Sequence, residues 1–396
     1  MKIERKSNAM IVIQDNTIRD GMQQTKVKKS VATKRLVIKE LSQTKVNSAE
    51  ISMCNTEQDI SILSEYMGIL RNEQKGVILT RLLESSIDLG LKLRRRFPNV
   101  VLKLLIPVSK LHIREKLKTS EDIYLQKISN ILKYLRKRHV VVDVCLEDAT
   151  RADGEFLFKV LDLISNFKVG YITLADTVGC STPVEYGQLF RSVASKYPKL
   201  RLSAHCHNDL GLATANTIAA IENGASQVET TFLGIGERAG NTAIDEVVAV
   251  LSKKKIDKTG LDLQTVYKVS NNIKDILNYE ISPTKPVLGK NVFVHESGIH
   301  QDGTMKNPSM YQFLLPMELG IPNSTSYTVS GISSKKILYK YFEEIADQSI
   351  DIDELIVFYR QLSKVTDKLT PEDCLEIYML GETNTHENIN RKRKLI

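Results

Sequence analysis

Of the seven histidines in the chain, two stand one residue apart, in His205-Cys206-His207-Asn208-Asp209. On an extended strand, residues i and i+2 share a face, so both imidazoles point the same way. Two imidazoles aimed at one place form half of a site for a divalent cation. A carboxylate such as Asp20 would complete a facial set of two histidines and one acid, leaving positions open for substrate oxygens. Arg19, beside Asp20, has a matching use: a guanidinium can stabilise an enolate or alkoxide oxygen as its charge develops. The bland alternatives are hydrogen-bonded polar side chains at a strand end and an ordinary loop ion pair. Cys206 points to the opposite face, toward core packing.

These residues need elements to position them, and the first two-thirds of the chain repeats one theme. A short β-branched run leads to a loop and then to an amphipathic stretch. The runs predict strands at Met10–Gln14, Ala49–Met53, Gly76–Thr80, Val100–Ile106, Val140–Leu146, Tyr171–Ala175, Arg201–Cys206 and Gln227–Thr231. Helical patterns between them include Thr33–Ser42, Asp122–Arg136, Gly154–Ser165, Pro183–Ser195, Ala213–Asn223 and Thr242–Leu251. Several strands are continuously apolar, as in a parallel sheet buried on both faces. Alternating strands and helices over about 250 residues match a closed (β/α)8 TIM barrel. No dinucleotide-type glycine fingerprint follows the first strand, which disfavours an open Rossmann sheet. The pattern changes after Ser252, so residues 1–275 are expected to form the catalytic barrel. Residues 276–396 are expected to form a smaller, mainly helical accessory region, with Ile350–Leu362 its clearest amphipathic stretch.

Barrel enzymes carry their chemistry at the C-terminal ends of the strands, and polar residues gather there in this chain. The first strand runs into Asp15-Asn16-Thr17-Ile18-Arg19-Asp20-Gly21, and the second carries Glu50. The fourth carries Lys103, the fifth ends at Glu147-Asp148, and the sixth ends at Asp176-Thr177. A glycine-rich loop, Gly234 to Asn241, follows the last strand and suits either a phosphate or a tight turn.

Composition narrows the function classes. With 396 residues, 42% hydrophobic and 26% charged, the chain can bury a large core. No apolar run reaches the ~20 residues needed to cross a bilayer, and no secretory signal is legible. Five dispersed cysteines, at 54, 145, 180, 206 and 374, argue against a disulfide framework and fit a reducing cytoplasm. The net charge of +8 raises nucleic acid as a partner, but the chain has no Trp and few aromatic stacking groups. One basic cluster, Lys26, Lys28, Lys29, Lys34 and Arg35, could be a solvated face or a landing site for a CoA phosphate. A second runs from Arg391 to Lys394 at the tail.

At these residues the chain resembles the homocitrate synthase and 2-isopropylmalate synthase family of metal-dependent TIM barrels. Four ordered stretches carry the resemblance: Asp15 to Gly21, His205 to Ala213, Gly234 to Asn241, and His295-Glu296-Ser297-Gly298-Ile299-His300-Gln301-Asp302-Gly303. The last resembles the segment that marks condensing synthases rather than lyases. The resemblance implies an acyltransferase that joins acetyl-CoA to a 2-oxo acid and then hydrolyses the thioester. It implies that Asp20, His205 and His207 hold a divalent metal (Mg, Mn or Zn), with Asn241 close to it. Arg19 would stabilise the enolate oxygen, Glu50 would complete an Asp-Arg-Glu set, and Glu147 and Thr177 would contact the 2-oxo acid. His300 would serve in acid–base steps across a homodimer, with Tyr327 as its phenolic helper.

Departures bear on the substrate. Met22 stands where the family carries an acid, and Ser52 where glycine is usual. Ser330-Gly331-Ile332-Ser333-Ser334 replaces the family's glycine-lysine-histidine-serine-glycine segment. Lys103 replaces a histidine of isopropylmalate synthases and would suit a second substrate carboxylate. Asp143, however, replaces an arginine that grips 2-oxoglutarate. The stretches Leu146–Asp153 and Ala175–Gly179, together with chain length, lean toward a homocitrate synthase type with 2-oxoglutarate first, ahead of isopropylmalate or citramalate synthesis. A retro-aldol lyase on the same barrel and a non-catalytic binding relative are the alternatives from other classes.

Overall fold

Eight parallel strands close into a barrel in sequence order. They are β1 (Val12–Asp15), β2 (Ser48–Met53), β3 (Lys75–Thr80), β4 (Val100–Pro107), β5 (Asp143–Glu147), β6 (Tyr171–Asp176), β7 (Arg201–Cys206) and β8 (Ala225–Thr230). The ring is completed by β1 pairing with β8, Val12 opposite Gln227 and Asp15 opposite Thr230. The computed structural model describes residues 10–254, 259–322, 325–345, 351–362 and 368–379. Two units are distinguished, Met1–Ile281 and Ser282–Ile396.

Helices α1 (Val31–Ser42), α2 (Glu57–Ile69), α3 (Glu84–Arg96) and α4 (Glu121–Lys137) follow β1 to β4. After β5 to β8 come α5 (Gly154–Ser165), α6 (Pro183–Lys196), α7 (Ala213–Glu222) and α8 (Ile244–Lys254), then α9 (Leu263–Leu277). Local chemistry sets their starts. Ser30, Ser120, Asp153 and Asp262 accept first-turn amides of α1, α4, α5 and α9. Thr182 and Glu185 form a capping box around Pro183 at the start of α6. Helices α2 and α3 were not singled out in the sequence. The first is opened by a Thr56/Asp59 capping box, and the second carries three arginines in its last turn and little apolar surface. β5 begins three residues later than its apolar run suggests. The Val140 amide is drawn to the Leu135 carbonyl at the end of α4, after a left-handed His139.

Alternate strand residues divide the core into two zones. Val144, Leu146, Ile172, Leu174 and Ala204 are fully buried in an apolar layer. The barrel interior is polar instead: Gln14, Glu50, Lys103, Thr173, Ser203, Gln227 and Glu229 are all buried. Contacts across the ring, such as Lys103 on β4 with Glu229 on β8, show that these side chains point inward. Such an interior is stable only where each polar group finds a partner.

The second unit holds a two-stranded parallel pair, β9 (Val294–His295) and β10 (Ser326–Tyr327). Its helices are α10 (Gly298–Lys306), α11 (Lys335–Lys340), α12 (Ile352–Leu362) and α13 (Pro371–Met379). Its own core gathers Val329, Leu338, Phe342, Leu355, Cys374 and Ile377. No helix among the described residues is long and apolar enough to cross a membrane. The basic tail at Arg391–Lys394 lies outside the described residues.

Candidate metal centre and active site

β1 ends in Asp15, and the chain turns through Asn16–Arg19 to reach Asp20. The Asp15 carboxylate accepts the Thr17 amide at 3.0 Å and the Thr17 hydroxyl at 2.8 Å. The Thr17 hydroxyl in turn accepts the amide of Phe232, just beyond β8, at 2.8 Å. The loop is thereby pinned across the β1/β8 seam. Burial pushes the Asp15 carboxyl up to about 7, against the pull of the Thr17 bonds.

β7 delivers the two histidines to the same place. Their Nε2 atoms lie 3.4 Å apart, and each faces Asp20 Oδ2, at 3.5 Å from His205 and 3.7 Å from His207. One ligand atom from each residue falls within 4.8 Å of the others, and all three residues are buried. Burial resists the Asp20 charge, but Arg19, His205 and His207 hold its carboxyl down at about 2. Burial also lowers His207, to about 4, aided by His205, Arg238 and Arg19 against the attraction of Asp20. At neutral pH the group is an ionised acid facing a neutral His207, the states in which both can bind a metal.

Asn241 is brought in by an antiparallel bridge to His207. The glycines of its loop are required: a Cβ on Gly240 (φ 101°) would lie 2.1 Å from the Gly234 carbonyl oxygen. Asp20 Oδ1, Asn241 Oδ1 and His207 Nδ1 are buried without a hydrogen-bond partner among the described residues. Orphaned acceptors beside an acid and two imidazoles fit a divalent cation.

Beneath this group lies a buried ion network. Arg19 binds Asp20 Oδ2 at 3.2 Å through Nη1 and Glu50 through Nε. Lys103 Nζ lies 3.1 Å from Glu50 and 2.7 Å from Glu229. Glu229 also accepts from Thr173 at 2.5 Å and Asn16 at 2.9 Å, and lies 3.3 Å from His205 Nδ1. Burial resists its charge, yet Lys103 and His205 hold it well below the usual carboxylate range. Lys103 likewise stays charged despite burial because Glu229 and Glu50 enclose it.

Residues 10–273 match the HMGL-like family, and residues 287–347 match the homocitrate synthase post-HMGL domain-like family. The chain is similar to 2-isopropylmalate synthase of Oceanobacillus iheyensis, at 33% identity over 98% of this chain and 76% of the relative. It is also similar to 2-isopropylmalate synthase of Dictyoglomus turgidum, at 33% identity over 90% of this chain and 72% of the relative. The chain belongs to the homocitrate synthase/2-isopropylmalate synthase family. It is an enzyme of that family with the expected (β/α)8 barrel. The hydroxymethylglutaryl-CoA lyase structure from Pseudomonas aeruginosa shares the fold, with a TM-score of 0.60 at 20% identity over 70% of this chain and 96% of that one. Where the sequence leans toward the homocitrate type, these curated relatives are 2-isopropylmalate synthases.

Lys103, expected to suit a second substrate carboxylate, lies within this buried ion network. Its amine is 1% exposed and engaged by two acids, so it is not free to grip a substrate carboxylate. Glu229 was missed in the sequence. The available signal was an acid in mid-strand, on the same parity as Gln227, which must be partnered if the strand is buried.

The remaining candidates divide between the two units. Glu147, at the end of β5, is held by Lys116 at 2.7 and 2.8 Å. The Thr177 hydroxyl accepts the Asp148 amide at 2.8 Å, and its carbonyl accepts from Arg238, which also clasps Asp209. His300 and Tyr327 belong to the second unit. The His300 ring lies 4.2 Å from that of Tyr311, and the Tyr327 hydroxyl accepts from Thr304 at 3.4 Å. Beside Arg19, a cavity of about 560 Å³ is lined by Gln23, Lys29, Lys34 and Asn55. Of the first basic cluster, Lys29 and Lys34 reach this cavity, whereas Arg35 pairs with Glu65.

Proposed function

We propose that this enzyme condenses acetyl-CoA with a branched, apolar 2-oxo acid, in the manner of a 2-isopropylmalate synthase. The observation that carries the reading is the Asp20–His205–His207 set at the mouth of a barrel 33% identical to such synthases over nearly its whole length. The commitment of Lys103 to Glu50 and Glu229 supports an apolar rather than an acidic substrate side chain, because it removes the cation that a second carboxylate would need.

Asp20, His205, His207 and Asn241 would hold a divalent cation (Mg, Mn or Zn). When bound, that cation supplies Lewis-acid polarisation of a keto group. Glu147 and Thr177 orient the 2-oxo acid at the strand ends. Arg19, held in place by Glu50, offers its guanidinium to the oxygen on which negative charge develops. His300 removes a proton from the acetyl methyl, with Tyr327 as its phenolic partner. The new carbon–carbon bond joins that methyl carbon to the keto carbon, and the resulting alkoxide takes up a proton. Water then cleaves the thioester to a carboxylate and free CoA. Lys29 and Lys34 receive the anionic end of CoA. In this reading the enzyme is a cytoplasmic homodimer acting on small molecules, with His300 supplied by the partner subunit.

The test is CoA release from acetyl-CoA with added Mg or Mn, across 2-oxoisovalerate, pyruvate, oxaloacetate and 2-oxoglutarate. Release is expected with 2-oxoisovalerate and not with 2-oxoglutarate, and is lost in Asp20→Ala and His205→Ala. Release with 2-oxoglutarate alone would return the substrate assignment to the homocitrate type. Cleavage of 2-isopropylmalate without any CoA release would replace the synthase reading with a lyase.

A further inference from the structure

A second cavity, of about 450 Å³, opens at the ends of β2, β3 and β4. Its walls are mainly apolar, from Met53, Leu82, Leu83, Leu105, Pro107 and Leu117. None of Asp20, His205, His207 or Asn241 lines it, and it shares only Met53 with the cavity beside Arg19. Tyr124 on α4 also lines it. This side chain is 2% exposed, and its hydroxyl has no hydrogen-bond partner among the described residues. A buried phenol without an acceptor is costly, so it marks a place where an acceptor belongs.

The rim is basic. Arg81 and Lys127 line the cavity, are exposed, and enter no ion pair among the described residues. Lys116 lies there too but is already paired with Glu147. The cavity therefore offers an apolar wall, one buried donor and two free cations. That combination fits a small molecule with a hydrocarbon body and one carboxylate. A phosphate or sugar would waste the apolar wall, and a neutral hydrocarbon would leave the phenol and both cations unanswered. Burial, and then the nearby charge of Glu147, raise the Tyr124 phenol, so it stays protonated and able to donate.

We propose that this cavity binds a short-chain apolar monocarboxylate. The Tyr124 hydroxyl donates to one carboxylate oxygen, and Arg81 and Lys127 balance the charge. The ligand could be the enzyme's own 2-oxo acid or a separate effector of the same chemistry. The site itself does not depend on the proposed reaction.

The test is calorimetric titration of the full chain with 3-methylbutanoate in EDTA. This acid lacks a keto group, and chelation is excluded. Saturable binding is expected, at least tenfold tighter than for acetate. Tyr124→Phe should weaken it about tenfold without lowering the melting temperature, because the lost hydroxyl had no partner. Arg81→Gln with Lys127→Gln should weaken it and remove its salt dependence. Absence of saturable binding, or unchanged binding by Tyr124→Phe, would overturn the proposal. In turnover assays, 3-methylbutanoate that raises only the KM of the 2-oxo acid would support the site as part of substrate binding. A change in kcat at unchanged KM would support it as an effector site. If turnover is absent altogether, the titration still decides the proposal, and only the synthase reading falls.

Discussion

Glu229 Oε2 lies 3.3 Å from His205 Nδ1, on the side of the ring away from Asp20 and His207. A carboxylate there stabilises the Nδ1–H tautomer and leaves the Nε2 lone pair facing Asp20 and His207. Glu229 is itself held by Lys103, so the orientation of the His205 ring is set by an ion pair that spans the barrel.

Glu229→Gln should therefore weaken metal binding without abolishing it. Loss of such an outer partner typically costs ~10–100-fold in metal affinity. Calorimetric titration with Mn, on protein shown to be folded, measures this directly. Unchanged affinity would mean that His205 needs no orienting partner.

Lys103→Met separates a structural cation from a substrate-binding one. Removing one member of a buried ion network leaves the others uncompensated, at a cost of about 3–5 kcal/mol. Urea denaturation should show that loss, because Glu50 and Glu229 would remain buried beside an apolar side chain. A variant of unchanged stability with a raised KM for the 2-oxo acid would restore the substrate-carboxylate role.

Asp15 provides a pH signature. Its carboxyl rises from the ordinary 3.8 to about 7 in the folded state, mainly through burial. Between those values the folded protein binds the extra proton, so stability falls as pH rises and levels off above about 7. Asp15→Asn removes this contribution. The melting temperature of the variant, relative to the parent, should climb from pH 4 to pH 7 and then stay constant. A difference independent of pH would place the Asp15 titration elsewhere.

Lys29 and Lys34 line the cavity beside Arg19, where Lys34 is lowered by burial and by its neighbour Lys29. Two cations held close together favour an anionic ligand between them. Exchanging either for glutamate should raise the KM for acetyl-CoA about tenfold, the scale of one charge-assisted hydrogen bond, at unchanged kcat. The effect should shrink with added salt. A fall in kcat alone would argue against a role in CoA capture.

The i, i+2 spacing of His205 and His207 was legible because strand periodicity alone puts them on one face. Helix α3 was not, because it is only weakly apolar. The early start assigned to β5 failed at Val140, whose β-branched side chain suits a strand while its amide completes the end of a helix.

The sequence by itself determined the barrel and the strand ends at which its chemistry gathers, since both follow from short-range periodicity. It also placed Arg19, Asp20 and the two histidines as one group, through motif order. Only the tertiary structure decided what Lys103 and Glu229 do. They stand 126 residues apart, and no local pattern records that closing the barrel sets one against the other. The same closure buries both charges together, so each is committed to its partner rather than to a ligand.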